Sequence, residues 1–171
     1  MKTKSERSGY VEQMREKYFK PEYEHVPLML IGSAICVYRI NTFNEVEILL
    51  QKRRDTNNYG LPGGSFETDE TNPKESAVRE LFEETNIKVS SPDSLKLFDI
   101  YINIKSEYPN GDQVLCSIVA YTIPVDSCSV NIFTKNSESI ELIWATKIQA
   151  EKLDIFKPNV QLVKDLFNHL K

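Results

Sequence analysis

The feature that most constrains the fold of this chain is a strongly marked helix start at Asn72. Asparagine is a favoured N-cap residue, Pro73 fits the first helical position, and Glu75 stands where it would complete a capping box. At about 100° per residue, the apolar face that follows contains Val78, Leu81, Phe82 and Thr85. The sequence therefore predicts a helix over about residues 73–85.

The opposite face of this helix is acidic. Glu80, Glu83 and Glu84 lie at spacings i, i+3 and i+4, and each pair of like charges at such spacings costs about 0.2–0.5 kcal/mol. Arg79 is the only basic residue between Ala77 and Asn86, and its i+4 neighbour is Glu83. A hard divalent cation such as Mg²⁺ would relieve this repulsion. The alternative is a solvated acidic surface, and the helix alone does not decide between the two.

Candidate strands surround this helix and outnumber the other predicted helices. Asn41–Asn44 separates the first two strands and favours a hairpin, and an Asn-Gly turn within 108–112 separates a second pair. We therefore expect an α+β fold in a single domain over 1–171, with helices packed on a mixed β-sheet. The predicted strands are 28–40, 45–51, 96–106, 113–123 and 140–145, and the further helices are 9–19, 148–153 and 159–170.

Composition narrows the function classes. The chain has 171 residues, with 21 Lys and Arg against 25 Asp and Glu, a formal charge of −4. This mild acidity argues against binding to duplex nucleic acid, which needs clustered basic charge. Cys36 and Cys116 lie in apolar runs, and the three cysteines lack metal-ligand spacing, so we expect a reducing, cytoplasmic location. We expect no membrane association, because the longest apolar run is too short to span a bilayer and the first nine residues lack an apolar signal core.

A glycine turn precedes the acidic helix. Leu61-Pro62-Gly63-Gly64 allows the backbone to approach a ligand or metal closely, because glycine has no Cβ. Glu67 and Glu70 follow and add two carboxylates to the same neighbourhood. A tight glycine turn that leads into an acidic helix is more typical of a phosphate and metal site than of a purely structural element.

The stretch YGLPGGSFETDETNPKESAVRELFEETNI, residues 59–87, resembles the Nudix box. That motif is a glycine, five residues, a glutamate, seven residues, and then Arg-Glu-aliphatic-x-Glu-Glu-x-Gly-aliphatic. Here Gly64 and Glu70 have the family spacing, and residues 79–84 read Arg-Glu-Leu-Phe-Glu-Glu. Two departures occur in this box of residues 64–87. Eight residues separate Glu70 from Arg79, with the extra one placed at Asn72, and Asn86 replaces the usual glycine at a position that favours a left-handed cap.

The resemblance implies an α/β/α sandwich and an enzyme, a Nudix pyrophosphohydrolase. Water would attack a phosphorus atom of a nucleoside diphosphate linked to another group. Carried over by position, Glu80, Glu83, Glu84 and the Gly63 carbonyl would bind Mg²⁺, with Mn²⁺ as a possible substitute. The catalytic residues would be Glu80, Arg79 and Glu84, with Glu80 acting either as metal ligand or as a general base oriented by Arg79.

The resemblance leaves the substrate open. A damaged nucleoside triphosphate, a nucleotide sugar such as ADP-ribose, and a dinucleoside polyphosphate are all candidates. For substrate binding we single out Arg53, Gly64 and Glu138, although Arg53 fits a solvated strand end equally well. Glu141 competes with Glu138 as the further carboxylate that many family members take from a loop near the C-terminal strand. The rival function is a nucleotide-sensing or partner-binding module without turnover, but the retained carboxylates favour catalysis. Homodimers are common in the family.

Overall fold

The computed structural model describes residues 28–107, 113–130 and 139–170. The predicted helix over 9–19 and the candidate residue Glu138 lie outside these ranges. Within them the elements are β1 Leu28–Ile40, β2 Val46–Arg53, β3 Tyr59–Gly60, β4 Gly63–Ser65, α1 Pro73–Thr85, β5 Ile87–Val89, β6 Lys96–Glu107, β7 Gln113–Pro124, β8 Cys128–Val130, β9 Ser139–Thr146, α2 Lys147–Ala150 and α3 Val160–His169. Short 3₁₀ turns occur at Pro92–Ser94, Val125–Ser127 and Lys157–Asn159.

Strand β1 is the centre of a mixed sheet. One of its edges pairs in parallel with β7, from Leu28 opposite Val114 to Tyr38 opposite Pro124. Its other edge is shared, because β4 pairs with the segment Gly32–Ala34 and β2 pairs with the segment Tyr38–Ile40. The predicted hairpin of β1 with β2 and the predicted pair β6 and β7 are both confirmed. β9 pairs with the remaining edge of β2, and β5 pairs with β8 in a separate two-stranded sheet.

The two faces of the sheet are covered by different helices. Side chains alternate between the faces of a strand, so Cys36 of β1 packs in a cluster with α3 residues, whereas Ile35 and Val37 pack in a cluster with α1 residues. Leu166 of α3 and Leu81 of α1 are fully buried in these two clusters. The expected α/β/α sandwich is therefore confirmed, and α1 lies on one outer layer. None of the helices within the described ranges has the length and apolarity needed to cross a lipid bilayer.

Helix α1 begins and ends where the sequence predicts. The Asn72 side chain caps the helix, and it accepts a hydrogen bond from the backbone N–H of Lys74 at 3.0 Å. A capping box would use the N–H of Glu75 instead, so that detail of the prediction is wrong. At the other end Asn86 has φ 59° and ψ 17°, and its N–H donates to the Phe82 carbonyl at 2.8 Å. The left-handed cap predicted at Asn86 is confirmed.

The Asn86 cap predicts a difference between alanine and glycine at this position. Asn86→Ala is expected to lower the free energy of unfolding by about 1 kcal/mol, because alanine is disfavoured in the left-handed region that asparagine and glycine tolerate. Asn86→Gly is expected to be at least as stable as the natural protein, because glycine adopts this region without a steric penalty. Urea unfolding followed by circular dichroism measures both, and equal stability of the two variants would contradict the assigned cap geometry.

The predicted faces of α1 are partly wrong. Phe82, expected on the apolar face, is 41% exposed, and the Lys88 Nζ lies 5.3 Å from the centre of its ring. Instead Glu80 and Glu84 are buried on the side of the helix that carries Leu81. The helix is therefore rotated relative to the sequence-based assignment, so that two of its carboxylates face the protein interior. The helix predicted over 148–153 is also shorter, since α2 ends at Ala150.

Candidate active site

The glycine strand β4 lies directly against the acidic helix α1. The backbone N–H of Gly63 donates to Glu84 Oε2 at 2.7 Å. The carboxylate of Glu80 lies so close to Gly64 that a Cβ at that position would overlap it. On the other side, a Cβ on Gly63 would overlap the Ser33 carbonyl oxygen of β1, and Gly63 has φ +152°. Glycine is thus required at both positions for this close approach of β1, β4 and α1.

A cavity of about 270 Å³ opens where these elements meet. Of the candidate residues predicted from the sequence, Arg53, Gly63, Gly64, Glu80 and Glu84 all line this cavity. Its further lining comes from β1, the glycine turn, β4, β7 and the segment before α3, through Leu30, Gly32, Ser33, Ala34, Leu61, Ser65, Cys116, Ser117, Ile118, Phe156, Pro158 and Asn159. The structure therefore brings most of the predicted site together in one cleft between the central strands and α1.

Glu80 and Glu84 are buried carboxylates, with exposed fractions of 8% and 4%. Burial raises the pKa of Glu84 to about 7, and the negative charge of Glu80 acts in the same direction. Hydrogen bonding by Gln51 and by the Gly63 N–H, together with the charge of Arg53, opposes this rise in pKa. Two acidic groups in one buried cleft favour a ligand that brings positive charge. These burials also argue against the alternative interpretation of α1 as a solvated acidic surface.

Arg79 forms ion pairs with several carboxylates of α1 and of the loop before it. Its Nη1 lies 2.9 Å from Glu80 Oε1 and 2.9 Å from Glu83 Oε2, and its Nε lies 2.8 Å from Glu70 Oε1. The hydrogen bond from Arg79 holds the pKa of Glu70 below its usual range. Arg79 does not line the cavity, but it contacts Glu80, which does. The residue inserted before α1 leaves Glu70 in contact with Arg79 and outside the cavity.

Glu83 differs from its two acidic neighbours. Its side chain is 49% exposed, pairs with Arg79 and does not line the cavity. Among the residues that the structure describes, no group of three or more His, Cys, Asp or Glu side chains is arranged to hold a metal ion. The cavity nevertheless presents the two carboxylates beside the backbone of β4, which is a set of hard oxygen donors that suits Mg²⁺ with several waters retained. The donor chemistry therefore fits a divalent cation.

The remaining sequence candidates divide between the cavity and the surface. Arg53 forms a paired contact with Asp55, with Nη2 and Oδ2 2.7 Å apart, and its guanidinium lies 4.6 Å from the ring centre of Phe156. Both Arg53 and Phe156 line the cavity. Glu141 is exposed on β9, accepts a hydrogen bond from the Tyr59 hydroxyl at 2.9 Å and does not line the cavity.

Sequence reasoning missed Phe156 and Asn159, which line this cleft, and Gln51, which is buried next to it. Asn159 is buried, and its Oδ1 accepts a hydrogen bond from the Leu61 N–H at 3.0 Å, which ties the segment before α3 to the glycine turn. The Phe156 N–H donates to the Tyr59 carbonyl at 2.7 Å. Gln51 is fully buried beside Glu84. A polar residue inside the apolar run of β2 was a usable signal for Gln51, whereas the sequence carried no signal for Phe156 or Asn159.

Comparison with known proteins agrees with this geometry. Residues 30–166 match the family model of the NUDIX domain. The chain therefore belongs to the Nudix family, and the predicted enzyme class, a Nudix pyrophosphohydrolase, is confirmed at that level. No curated protein sequence matches significantly.

Solved structures share the fold at low sequence identity. The NUDIX domain of Shewanella oneidensis NrtR, complexed with ADP ribose, is 17% identical with a TM-score of 0.64, over 94% of this chain and 99% of that one. A bifunctional NMN adenylyltransferase/ADP ribose pyrophosphatase from Francisella tularensis, complexed with AMP and a Mn ion, is 18% identical with a TM-score of 0.61, over 96% and 46%. The C. elegans Ap4A hydrolase in a binary complex is 16% identical with a TM-score of 0.55, over 81% and 93%.

Proposed function

We propose that this protein is a Mg²⁺-dependent hydrolase that cleaves the diphosphate linkage of a nucleoside diphosphate joined to another group. The observation that carries the proposal is the pair of buried carboxylates, Glu80 and Glu84, which line one cavity with the glycine backbone of β4. Buried carboxylates are costly unless they are paired or bind a cation. A cation that also binds phosphate oxygens would explain why both are retained in a cleft.

Glu80 and Glu84 would hold the cation, with the Gly63 carbonyl as a backbone ligand. Glu83 is proposed as a third carboxylate ligand, which requires its side chain to leave the exposed position beside Arg79. Bound Mg²⁺ would acidify a water molecule and neutralise charge on the phosphate oxygens. Mn²⁺ is expected to substitute.

The chain's own residues then have separate tasks. A water oxygen forms a bond to one phosphorus atom while the bond from that phosphorus to the bridging oxygen breaks, and the bridging oxygen leaves with the other half of the substrate as a phosphate or phosphate ester. Glu80 or Glu84 accepts the proton of the water, and Arg79 holds the Glu80 carboxylate in place through its contact at 2.9 Å. Arg53 lies on the cavity wall with its guanidinium against Phe156, where it would contact a substrate phosphate.

The similar solved structures support a nucleotide as the substrate. Two of them carry ADP ribose or AMP, and the third is named as an Ap4A hydrolase. ADP-ribose, dinucleoside polyphosphates and modified nucleoside triphosphates are therefore the substrates that we propose to test first. A cytoplasmic location, the absence of duplex nucleic acid and membrane partners, and a homodimer remain predictions.

A nucleotide panel tests this function. Each compound is incubated with the protein in Mg²⁺, in Mn²⁺ and in EDTA, and the products are separated by ion-exchange chromatography. We expect nucleoside monophosphate from at least one compound with either metal, and none in EDTA. Nucleotide and metal binding without turnover across the panel would contradict the proposed catalysis and favour the sensor module instead.

A further inference from the structure

Gln51 is an unusual residue for its place in the fold. It lies in β2 beside Leu49 and Leu50, which are core residues, and its exposed fraction is 0%. Burial of a primary amide is unfavourable unless its donors and acceptor find partners. Packing alone therefore does not explain why a buried primary amide occupies the middle of this core strand.

The contacts of Gln51 lead to Glu84 through Ser139. Its Oε1 accepts a hydrogen bond from the Ser139 hydroxyl, and the same hydroxyl lies 3.0 Å from the main-chain carbonyl oxygen of Glu84. Gln51 therefore joins β2, β9 and the last turn of α1 at the point where Glu84 enters the cavity.

The Nε2 donor of Gln51 is unsatisfied. Within the described ranges it is the buried side-chain nitrogen that has no hydrogen-bond partner. An unpaired buried donor is destabilising, and an apolar side chain of the same length would avoid that cost. This imbalance is expected of a group whose task is to orient a neighbour and is not expected of one that only stabilises the core.

We propose that Gln51 is a positioning residue, which holds the Glu84 carboxylate in the orientation that binds the divalent cation. This inference rests on the proposed function, since it assigns Glu84 to the cation. The Ser139 hydroxyl joins Gln51 Oε1 to the main-chain carbonyl oxygen of Glu84, so that Gln51 and Ser139 together fix the turn of α1 that carries this carboxylate. The Gly63 N–H, which donates to Glu84 Oε2 at 2.7 Å, then fixes the carboxylate group itself.

The test is Mn²⁺ binding to Gln51→Met without nucleotide, followed by electron paramagnetic resonance of the free ion. Methionine keeps the length of the side chain and removes its polar groups. We expect the affinity for Mn²⁺ to fall about 10- to 100-fold, as is usual when a group that orients a metal ligand is removed. The melting temperature in EDTA is expected to stay unchanged or to rise, because the unpaired donor is gone. Leu50→Met, a neighbouring core substitution on the other face of β2, controls for repacking and is expected to keep the natural affinity.

Two outcomes would overturn the proposal. One is a folded Gln51→Met protein that binds Mn²⁺ as tightly as the natural one, and the other is an equal loss of affinity in Leu50→Met. Ser139→Ala is the second variant if Gln51→Met fails to fold, because it retains Gln51 but removes its hydroxyl partner. It is expected to weaken Mn²⁺ binding, and an unchanged affinity would overturn the proposal as well. Failure of the natural protein to bind Mn²⁺ would instead refute the proposed function, and the inference with it.

Discussion

Glu84→Gln and Glu80→Gln are each expected to lower kcat by about 10²- to 10⁴-fold while the protein stays folded. Both residues line the cavity as buried carboxylates, and the amide that replaces each one neither accepts a proton nor binds a cation with comparable strength. Steady-state hydrolysis of the best compound from the nucleotide panel measures the loss. Glu75→Gln, an exposed glutamate in the first turn of the same helix, is the matched control and is expected to retain the natural rate. Activity above a tenth of the natural value in both active-site variants would contradict the proposed roles.

The same substitution at Glu84 predicts a change in the dependence of stability on pH. Burial raises the pKa of Glu84 from 4.5 to about 7, so the folded state binds a proton more tightly than the unfolded state does. The stability that this tighter proton binding by Glu84 adds to the folded state is fully present below pH 4.5 and is lost as the pH rises through about 7. In EDTA, the free energy of unfolding should therefore fall between pH 5 and pH 8, and Glu84→Gln should fall less. Urea unfolding at the two pH values measures this difference, and identical slopes would contradict it.

Gly63→Ala is expected to lower the stability of the protein, whereas Gly64→Ala is expected to lower its activity. At Gly63 a Cβ would overlap the Ser33 carbonyl oxygen, which is a backbone atom, and φ is +152°. The pairing of β4 with β1 would have to open, so we expect a loss of about 3 kcal/mol or more in the free energy of unfolding. At Gly64 a Cβ would overlap the Glu80 carboxylate, which is a side-chain group that is able to rotate away. Gly64→Ala should therefore fold while kcat falls about 100-fold, since displacement of a reacting group by about 1 Å has that effect.

Urea unfolding and steady-state kinetics of the two alanine variants separate these effects. Gly64→Ser serves as a second variant with a Cβ, and it is expected to lose activity as Gly64→Ala does. An active Gly64→Ala enzyme would show that the Glu80 carboxylate does not need its place against β4. A Gly63→Ala protein as stable as the natural one would contradict the close contact of β4 with β1.

Local signals accounted for much of the fold. Asn72 and Pro73 mark the start of α1, and Asn86 marks its end, because cap residues act through hydrogen bonds and dihedral angles of their immediate neighbours. The long strands β1, β2, β6 and β7 were likewise predictable from runs of β-branched and aliphatic residues. The two-residue strand β3 and the three-residue strands β4, β5 and β8 were not, because so short a strand is defined by its distant partner and not by its own sequence.

The candidate site was predictable only in part. Spacing alone placed Glu80, Glu83 and Glu84 together on α1, but it did not show which of them face the interior. That choice follows from the contact of α1 with β4, which buries Glu80 and Glu84 and leaves Glu83 beside Arg79. The metal-binding role of Glu83 therefore stays a prediction.

The remaining cavity wall depended on distant segments of the chain. Phe156 reaches the cavity because the segment before α3 is hydrogen-bonded along β3, and Gln51 becomes part of the site through Ser139. Contacts between segments so far apart in the chain leave no periodic pattern, so the sequence did not show that Phe156 or Gln51 belongs near this site, although a polar residue in an apolar run marked Gln51 as unusual.

The parallel pairing of β1 with β7 delays the completion of the cavity during folding. Leu28 pairs with Val114, so about two thirds of the chain must be synthesised before the central pair of strands is able to form. Pairings between residues this distant are slow, because the entropy of closing the loop is lost before the contacts form. During synthesis on the ribosome, we expect β1 and β2 to form a hairpin before β7 has been synthesised. Until β7 pairs with it, the other edge of β1 is able to pair with strands of other chains and so to aggregate. A chaperone that binds apolar strands would be expected to bind this edge.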